Sequence, residues 1–311
     1  MVLVLRYGLW ETLVEDFLFE LYGIIQAVAD GILFGSVYAL IGIGFTLVFG
    51  AMRKLNFSYA ASSFAGAYIG LSLLSYFDAP ALVVFLAAVP AAGAVCYVVY
   101  LTCFRFIPAK NELASLMATV GMLFFIDEVI IHVTDGSPLA YPALFDDVMF
   151  EIGPFGLRGD LIFVFAISML ATVALLLLLF RTRLGLATRA VSQQEVAAQL
   201  CGIDIHRTNG LTFVIAGMLG GVGGAMIGAS VGMLSPLLTL PMTIKGLIVT
   251  VIGGLGNIPG AIVAGFLVGA SENIFLFFRG VNERDMYVML LLFVFLVFRP
   301  HGIFSRRLER D

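Results

Sequence analysis

Apolar residues along this chain come in long, nearly unbroken runs, not at the intervals that mark an amphipathic helix or a half-buried strand. A helix needs roughly 17–25 such residues to cross the hydrocarbon of a bilayer. Runs of that kind predict spans at 23–50, 57–77, 80–104, 113–134, 160–180, 210–233 and 261–278. Two shorter candidates lie at 242–256 and 286–298; either can be tilted, and the first can be re-entrant. The pattern predicts an all-α fold, a polytopic transmembrane helical bundle of eight or nine spans, with residues 1–311 as one membrane domain. Residues 1–22 read as an extracytoplasmic or interfacial segment.

One interruption stands out. In "VTVIGGLGNIPGAIVAGFLVG", residues 249–269, two apolar flanks are parted by Gly253, Gly254, Gly256, Asn257, Pro259 and Gly260. Glycine and proline free backbone groups that hydrocarbon cannot satisfy. The stretch is therefore either a capped loop between two helices or a broken helix beside a solute path. Small residues also recur four apart: Gly31–Gly35, Gly66–Gly70, Gly217–Gly221, Gly220–Gly224–Gly228–Gly232 and Ala261–Gly265–Gly269. Such spacing permits close helix contact in lipid. Static packing would use it, and so would faces that slide during transport or line a path where side chains would block a solute.

Composition agrees with the pattern. Hydrophobic residues are 61% and charged residues 12% of the chain, against about 25% charged in a soluble domain. Mean hydropathy is +1.06. Cys96, Cys103 and Cys201 have no CxxC spacing, and His132, His206 and His301 are scattered, so no metal site is expected. Arg6, Glu11, Glu15, Asp16 and Glu20 do not make a signal peptide. Lysine and arginine sort by loop. Arg53 and Lys54, then Arg105 and Lys110, then Arg181, Arg183, Arg189 and Arg207, then Arg299, Arg306, Arg307 and Arg310 share one side if the spans alternate. The positive-inside bias makes that side cytoplasmic, with the N-terminus outside and the C-terminus inside. The opposite loops are poor in Lys and Arg, and the longest carries Asp146, Asp147 and Glu151.

Four stretches carry a family resemblance. "GSVYALIGIGFTLVFGAMRKLNFSYA" (35–60), "RTRLGLATRAVSQQEVAAQLCGIDIHRTNGLTFVIAG" (181–217), the glycine-rich segment above with its lead-in Lys245, and the ending "RPHGIF" (299–304) occur in that order. Together they resemble the permease subunits of Liv-type, branched-chain amino acid ABC importers, from about residue 23 onward. The resemblance marks Asn56 and Phe57, and with them the glycine-rich segment, as candidates along the translocation path. One departure is plain. The family's Asn-Phe-Ala-His-Gly-Glu is here Asn56-Phe57-Ser58-Tyr59-Ala60-Ala61, which opens the choice of solute.

The resemblance also implies a short cytoplasmic helix, within the loop 181–209, that seats in a groove of a separate ATPase. Residues 187–201 suit it: Val191, Val196, Ala197, Ala198 and Leu200 for contact, Gln193, Gln194, Glu195 and Gln199 for solubility. Gly202 can end the helix in a left-handed conformation, and Ile203, Asp204, His206 and Arg207 lead into the next span. The importer signature Glu-Ala-Ala-x-x-x-Gly is matched at Ala197, Ala198 and Gly202, with Glu195 one residue early. No GxxxxGK[ST] loop occurs in the chain, so no cofactor is expected here and ATP would be bound by partner subunits.

Ionisable residues inside spans are functional candidates by default. They are Asp30, the Asp127–Glu128–His132 group, Lys245, and Glu272 with Asn273. Lys245 can snorkel to the outer headgroups. Glu272 needs a partner within the bundle, in either a structural or a path-lining role, and with Lys245 it joins the translocation-path candidates. Asp127 and His132, five apart, share a face only loosely and make a poor proton relay. Nothing suggests a nucleophile elbow, and an enzyme is not expected. The expectation is a multi-pass inner-membrane permease subunit importing branched-chain or related amino acids. Its partners would be a second homologous permease, two cytoplasmic ATPases, an extracytoplasmic binding protein and membrane lipid, with no nucleic acid. The alternative is an ATPase-independent secondary transporter or channel for a small solute.

Overall fold

The computed structural model describes residues 2–77, 80–107, 112–144, 148–152, 155–299 and 302–304. Lys110, Asp146, Asp147, His301, Arg306, Arg307 and Arg310 lie outside the described residues, as do the side chains of Arg6, Glu11, Glu15, Asp16 and Glu151.

The chain is a helical bundle. In order it runs α1 (Val2–Met52), α2 (Tyr59–Phe77), α3 (Ala81–Val99, continued as a π-helical turn Tyr100–Arg105), α4 (Glu112–Thr134) and α5 (Gly159–Arg181). Two short helices follow, α6 (Arg183–Gln193) and α7 (Glu195–Leu200), then α8 (Ile205–Val231), α9 (Thr239–Gly253), α10 (Ile258–Arg279) and α11 (Arg284–Phe298). Seven of the described helical segments are long and apolar enough to cross a membrane. The 242–256 candidate is one of them, because a 3-10 turn at Pro236–Leu238 runs into α9 and gives a helical segment Pro236–Gly253. The Tyr59–Leu74 segment is shorter, and α11 has 15 residues, about 22 Å at the α-helical rise. The helix begun at residue 2 continues without a break through the stretch read as a separate N-terminal segment.

Among the described residues four short strands punctuate the loops. β1 (Leu139–Ala140) pairs antiparallel with β4 (Met233–Leu234), with Leu139 opposite Leu234. β2 (Met149–Ile152) pairs antiparallel with β3 (Phe155–Arg158), Met149 opposite Arg158. They join loops and leave the all-α class intact.

The glycine spacing explains which helices touch. An added Cβ at Gly31 would stand 2.7 Å from the carbonyl oxygen of Gly269, and one at Gly35 would stand 2.8 Å from that of Gly265. So α1 lies backbone to backbone along α10. At Gly66 the nearest atoms belong to Ala92 of α3; at Gly217 they belong to Cys96, Ala92 and Gly93 of α3; at Gly220 they are those of Ser63 of α2. Without a hydrophobic force between helices in lipid, this closeness is what holds them. The small-residue rows are thus where these helices approach one another most closely. The altered segment after the first span belongs to the same core. Tyr59 is fully buried, its hydroxyl donates to the carbonyl of Ala216 in α8 at 2.7 Å, and a side chain at Gly44 would collide with it.

Candidate functional site

Every loop that carries the lysine and arginine bias, as far as it is described, converges on one end of the bundle. A cavity of about 1010 Å³ there is bounded by the C-terminal ends of α1 and α5, by Thr188, Arg189 and Ser192 of α6, and by Leu255–Pro259. A second, of about 510 Å³, lies between the α1–α2 connection, the π-helical end of α3, α6–α7 and the start of α8. Asn56 and Phe57 sit in that connection. The Asn56 side-chain oxygen accepts from the Ser58 backbone at 3.2 Å and the Ser58 hydroxyl at 2.8 Å. The Phe57 backbone donates to Thr119 at 3.3 Å. Both residues therefore fix how α2 and α4 leave this end, and neither borders the two cavities.

The segment 181–209 is built in three steps. Thr182 caps α6, accepting from the Gly185 N–H. On α6 the buried Thr188 and Val191 face the bundle, with Thr188 Oγ1 3.3 Å from Thr212 Oγ1 of α8. At Gln194 the backbone is extended, φ −157 and ψ 107, and α7 starts afresh with Glu195 in its first turn, where a carboxylate suits the helix dipole. The single helix expected over 187–201 is thus two. The break lets α6 stay anchored while α7 turns an edge outward. On that edge Val196 is 66% and Leu200 85% exposed. Glu195 and Ala197 are exposed beside them. Ala198, expected among the contact residues, is 4% exposed and packs inward, as does Val191, because both lie on the helix faces turned to the bundle.

Gly202 then stops α7. It takes φ +82, its N–H bonds to the Gln199 carbonyl at 2.9 Å, and the Ile203 N–H reaches the Ala198 carbonyl at 3.1 Å. These two bonds define the Schellman ending. Half-buried Ile203 leads to Asp204, which caps α8 by accepting from the Arg207 N–H at 3.1 Å. The exposed Arg207 guanidinium also pairs with Asp204 at 3.1 Å. One continuous chain of caps joins the exposed helix to a long span.

The glycine-rich stretch is a capped loop, not a helix broken in mid-membrane. α9 ends at Gly253, Gly254 and Gly256 take φ +100 and +83, and Asn257 caps α10 by accepting from the Gly260 N–H at 3.3 Å. Pro259 stands in the first turn of α10, where its missing N–H costs nothing. Gly253 and Gly260 touch through their backbones, so neither admits a side chain. The ending "RPHGIF" closes over this turn. Ile303 N–H donates to Ile252 O at 2.8 Å, Asn257 Nδ2 to Phe304 O at 2.8 Å, and a Cβ on Gly302 would stand 2.6 Å from the Gly254 Cα. Two stretches 50 residues apart in sequence numbering thus form one unit; each looked self-contained, so nothing in the pattern paired them.

Lys245 does not reach headgroups. It is 4% exposed. Its ammonium lies 2.7 Å from Glu272 of α10 and 3.0 Å from Asp285 of α11. Glu272, 1% exposed, is also paired with Arg284, whose other arm donates to the Tyr38 hydroxyl of α1 at 3.0 Å. The reason is position: Lys245 stands six residues inside α9 on the face turned to α10, so its stem points into the bundle. Two cations and two carboxylates balance there. A buried pair is weak evidence for stability in itself, yet stripping one member leaves an uncompensated charge. Sequence reasoning found Lys245 and Glu272 but missed Arg284, Asp285 and Tyr38. "ERD" at 283–285 looks like an ordinary outer loop; only a charge balance over the ionisable residues near that depth would have pointed to it.

Among the described residues no cluster of His, Cys, Asp and Glu could hold a metal ion. The family described as "Branched-chain amino acid transport system / permease component" matches residues 27–298. The chain is 30% identical over 300 residues to the high-affinity branched-chain amino acid transport system permease protein BraD of Pseudomonas aeruginosa, covering 92% of this chain and 97% of that one. To LivH of Escherichia coli K12 it is 28% identical, covering 94% and 97%. To LivM of the same organism it is 24% identical, covering 86% of this chain and 67% of that one.

Proposed function

The chain belongs to the permease-component family of branched-chain amino acid transport systems, and from that premise we propose that it is a membrane subunit of an ABC importer for branched-chain or closely related amino acids. It lies in the inner membrane with its basic end in the cytoplasm. A second permease completes the conduit, two ATPase subunits seat against the basic end, and a soluble binding protein delivers solute at the other. The observation that carries this reading is α7, a six-residue helix that holds Val196 and Leu200 in solvent while its other face is anchored. Exposed apolar residues on so short an element have a purpose when a partner covers them.

The power stroke follows from the caps. Closure of the motor displaces α7. The Schellman ending at Gly202 and the Asp204 cap hand that displacement to α8, and the Thr188–Thr212 contact carries it through α6 to the same helix. Because α8 is packed on α2 and α3 by glycine contacts, it moves as part of a block, and the bundle opens to one side and then the other. The conduit passes small and apolar surfaces and need not bind tightly.

The test is leucine uptake into membrane vesicles holding the full transporter. Inactivating the ATPase partner should abolish uptake, while an ionophore that collapses the proton gradient should leave it intact. Uptake that survives the dead ATPase and dies with the ionophore overturns the proposal in favour of a secondary transporter.

A further inference from the structure

α4 and α5 have 23 residues each, and the same share of each lies inside the bundle. Their outer faces differ. Between its end turns α5 exposes Met169, Leu170, Val173 and Leu177, all apolar. That is a surface for lipid. The exposed side of α4 is also apolar at Phe125, Val129 and Val133, but beside them at helical spacing runs a stripe of Met117, Gly121, Phe124, Glu128 and His132 that carries two ionisable side chains. Neither Glu128 nor His132 makes a hydrogen bond or ion pair among the described residues. Gly121 faces open space, with nothing within 4 Å of an added Cβ.

Glu128 stands six residues from the end of α4 at Thr134, about 9 Å along the helix. A helix of that length slightly exceeds a hydrocarbon layer about 30 Å thick, so Glu128 lies inside the layer. A carboxylate there is disfavoured against lipid and occurs facing protein or a water-filled route. Its neighbour Asp127 lies within reach of Thr239 of α9 and beside Tyr68 of α2, whose buried hydroxyl lacks a partner. The polar side of α4 therefore continues inward from the exposed stripe. ATPases and binding proteins are aqueous and cannot cover a face at this depth. A second permease can, and the chain is similar to two different permeases of one organism, LivH and LivM.

We propose that the exposed face of α4, marked by Met117, Gly121, Phe124, Glu128 and His132, is the seam against the second permease subunit, while α5 faces lipid. This rests on the importer reading for the existence of that partner. The seam holds Glu128 away from acyl chains, while the Asp127 side of α4 stays packed on α2 and α9 of its own chain.

The experiment places single cysteines by Met117→Cys, Phe124→Cys and Glu128→Cys on α4, and Leu170→Cys and Leu177→Cys on α5. The background is Cys201→Ser, since Cys96 and Cys103 are buried and Cys201 is exposed. Each variant is expressed with its partner subunits, and membranes are treated with a maleimide–benzophenone, which anchors on the single thiol and on illumination inserts into a C–H bond of whatever chain lies against it. Adducts joining two permease chains are expected from α4 positions and not from α5. Adducts from α5, or none from α4 while the second permease co-purifies, overturn the seam. Met117→Cys and Phe124→Cys keep the carboxylate, so the test stands if Glu128→Cys fails to assemble. ATP-dependent uptake in the same vesicles reads the importer proposal separately. Adducts without uptake support the seam and sink that reading; uptake without α4 adducts does the reverse.

Discussion

At Gly260 an added side chain would run into the backbone of Gly253, whereas at Gly202 it would meet nothing within 4 Å. Both glycines belong to short connections at the basic end. The α9–α10 turn is closed on three sides: by the two helix ends on each other, by Gly50 of α1 near Gly256, and by the Gly302–Phe304 ending. The α7–α8 connection is open around Gly202 and held by its own caps and by the Tyr100 hydroxyl, which donates to the His206 carbonyl at 3.1 Å. Glycine is required in the first by space and in the second by backbone angle. The two connections should then fail differently. A change in the closed turn costs the fold, while a change in the open one spares the fold and costs communication with a partner.

The largest expected loss comes from the most enclosed charge. Glu272→Ala leaves Lys245 and Arg284 facing each other without their shared carboxylate. Breaking a buried pair from one side costs about 3–5 kcal/mol. The purified protein should lose its folded peak in detergent at a temperature several degrees lower, measured by fluorescence-detected size exclusion on heating. If Glu272→Ala behaves as the parent protein, the cluster is not a structural lock. Gly260→Val should follow, since overpacking costs about 1–3 kcal/mol and here the obstacle is backbone. Reduced yield of folded permease is the expected readout, with any uptake falling in proportion to the protein that remains.

Leu200→Asp sharpens the contrast from the other side. The residue touches little of its own chain, so detergent stability should not move. Burying a leucine in a partner is favourable by about 1.5–3 kcal/mol, and losing it should weaken ATPase association by about tenfold or more. Co-purification of the ATPase and uptake should drop together. Unchanged association would remove α7 from the docking surface.

Much of this division was legible beforehand, and the reasons are physical. Long apolar runs mark helices because hydrocarbon leaves no other way to satisfy the backbone, so the spans were placed within a few residues. Gly202, Asn257 and Pro259 announce helix ends through local chemistry that needs no partner. What could not be read were contacts between distant segments. Nothing near Lys245 says that Asp285 will stand 3.0 Å away, nor does "RPHGIF" say that it will cover the glycine turn. Nor could periodicity place Val191 and Ala198, because the break at Gln194 resets the helical phase between them and the exposed edge.

The smallest expected effect is also the cleanest test of the open connection. Gly202 needs φ +82 but has room around it. Valine there suffers both the left-handed penalty and β-branching, alanine only the first, and asparagine tolerates the conformation best of the three. The Schellman ending should therefore survive in Gly202→Asn, weaken by about 1 kcal/mol in Gly202→Ala, and be lost in Gly202→Val. Uptake per assembled transporter should fall in that order, from near the parent level in the asparagine variant to the lowest in the valine variant, with ATPase binding largely kept throughout. The ranking matters more than any one value. Steric volume alone would penalise asparagine more than alanine, so an asparagine variant less active than the alanine variant would mean that α7 is docked against something that fills the space beside Gly202. A backbone-angle requirement gives the opposite order.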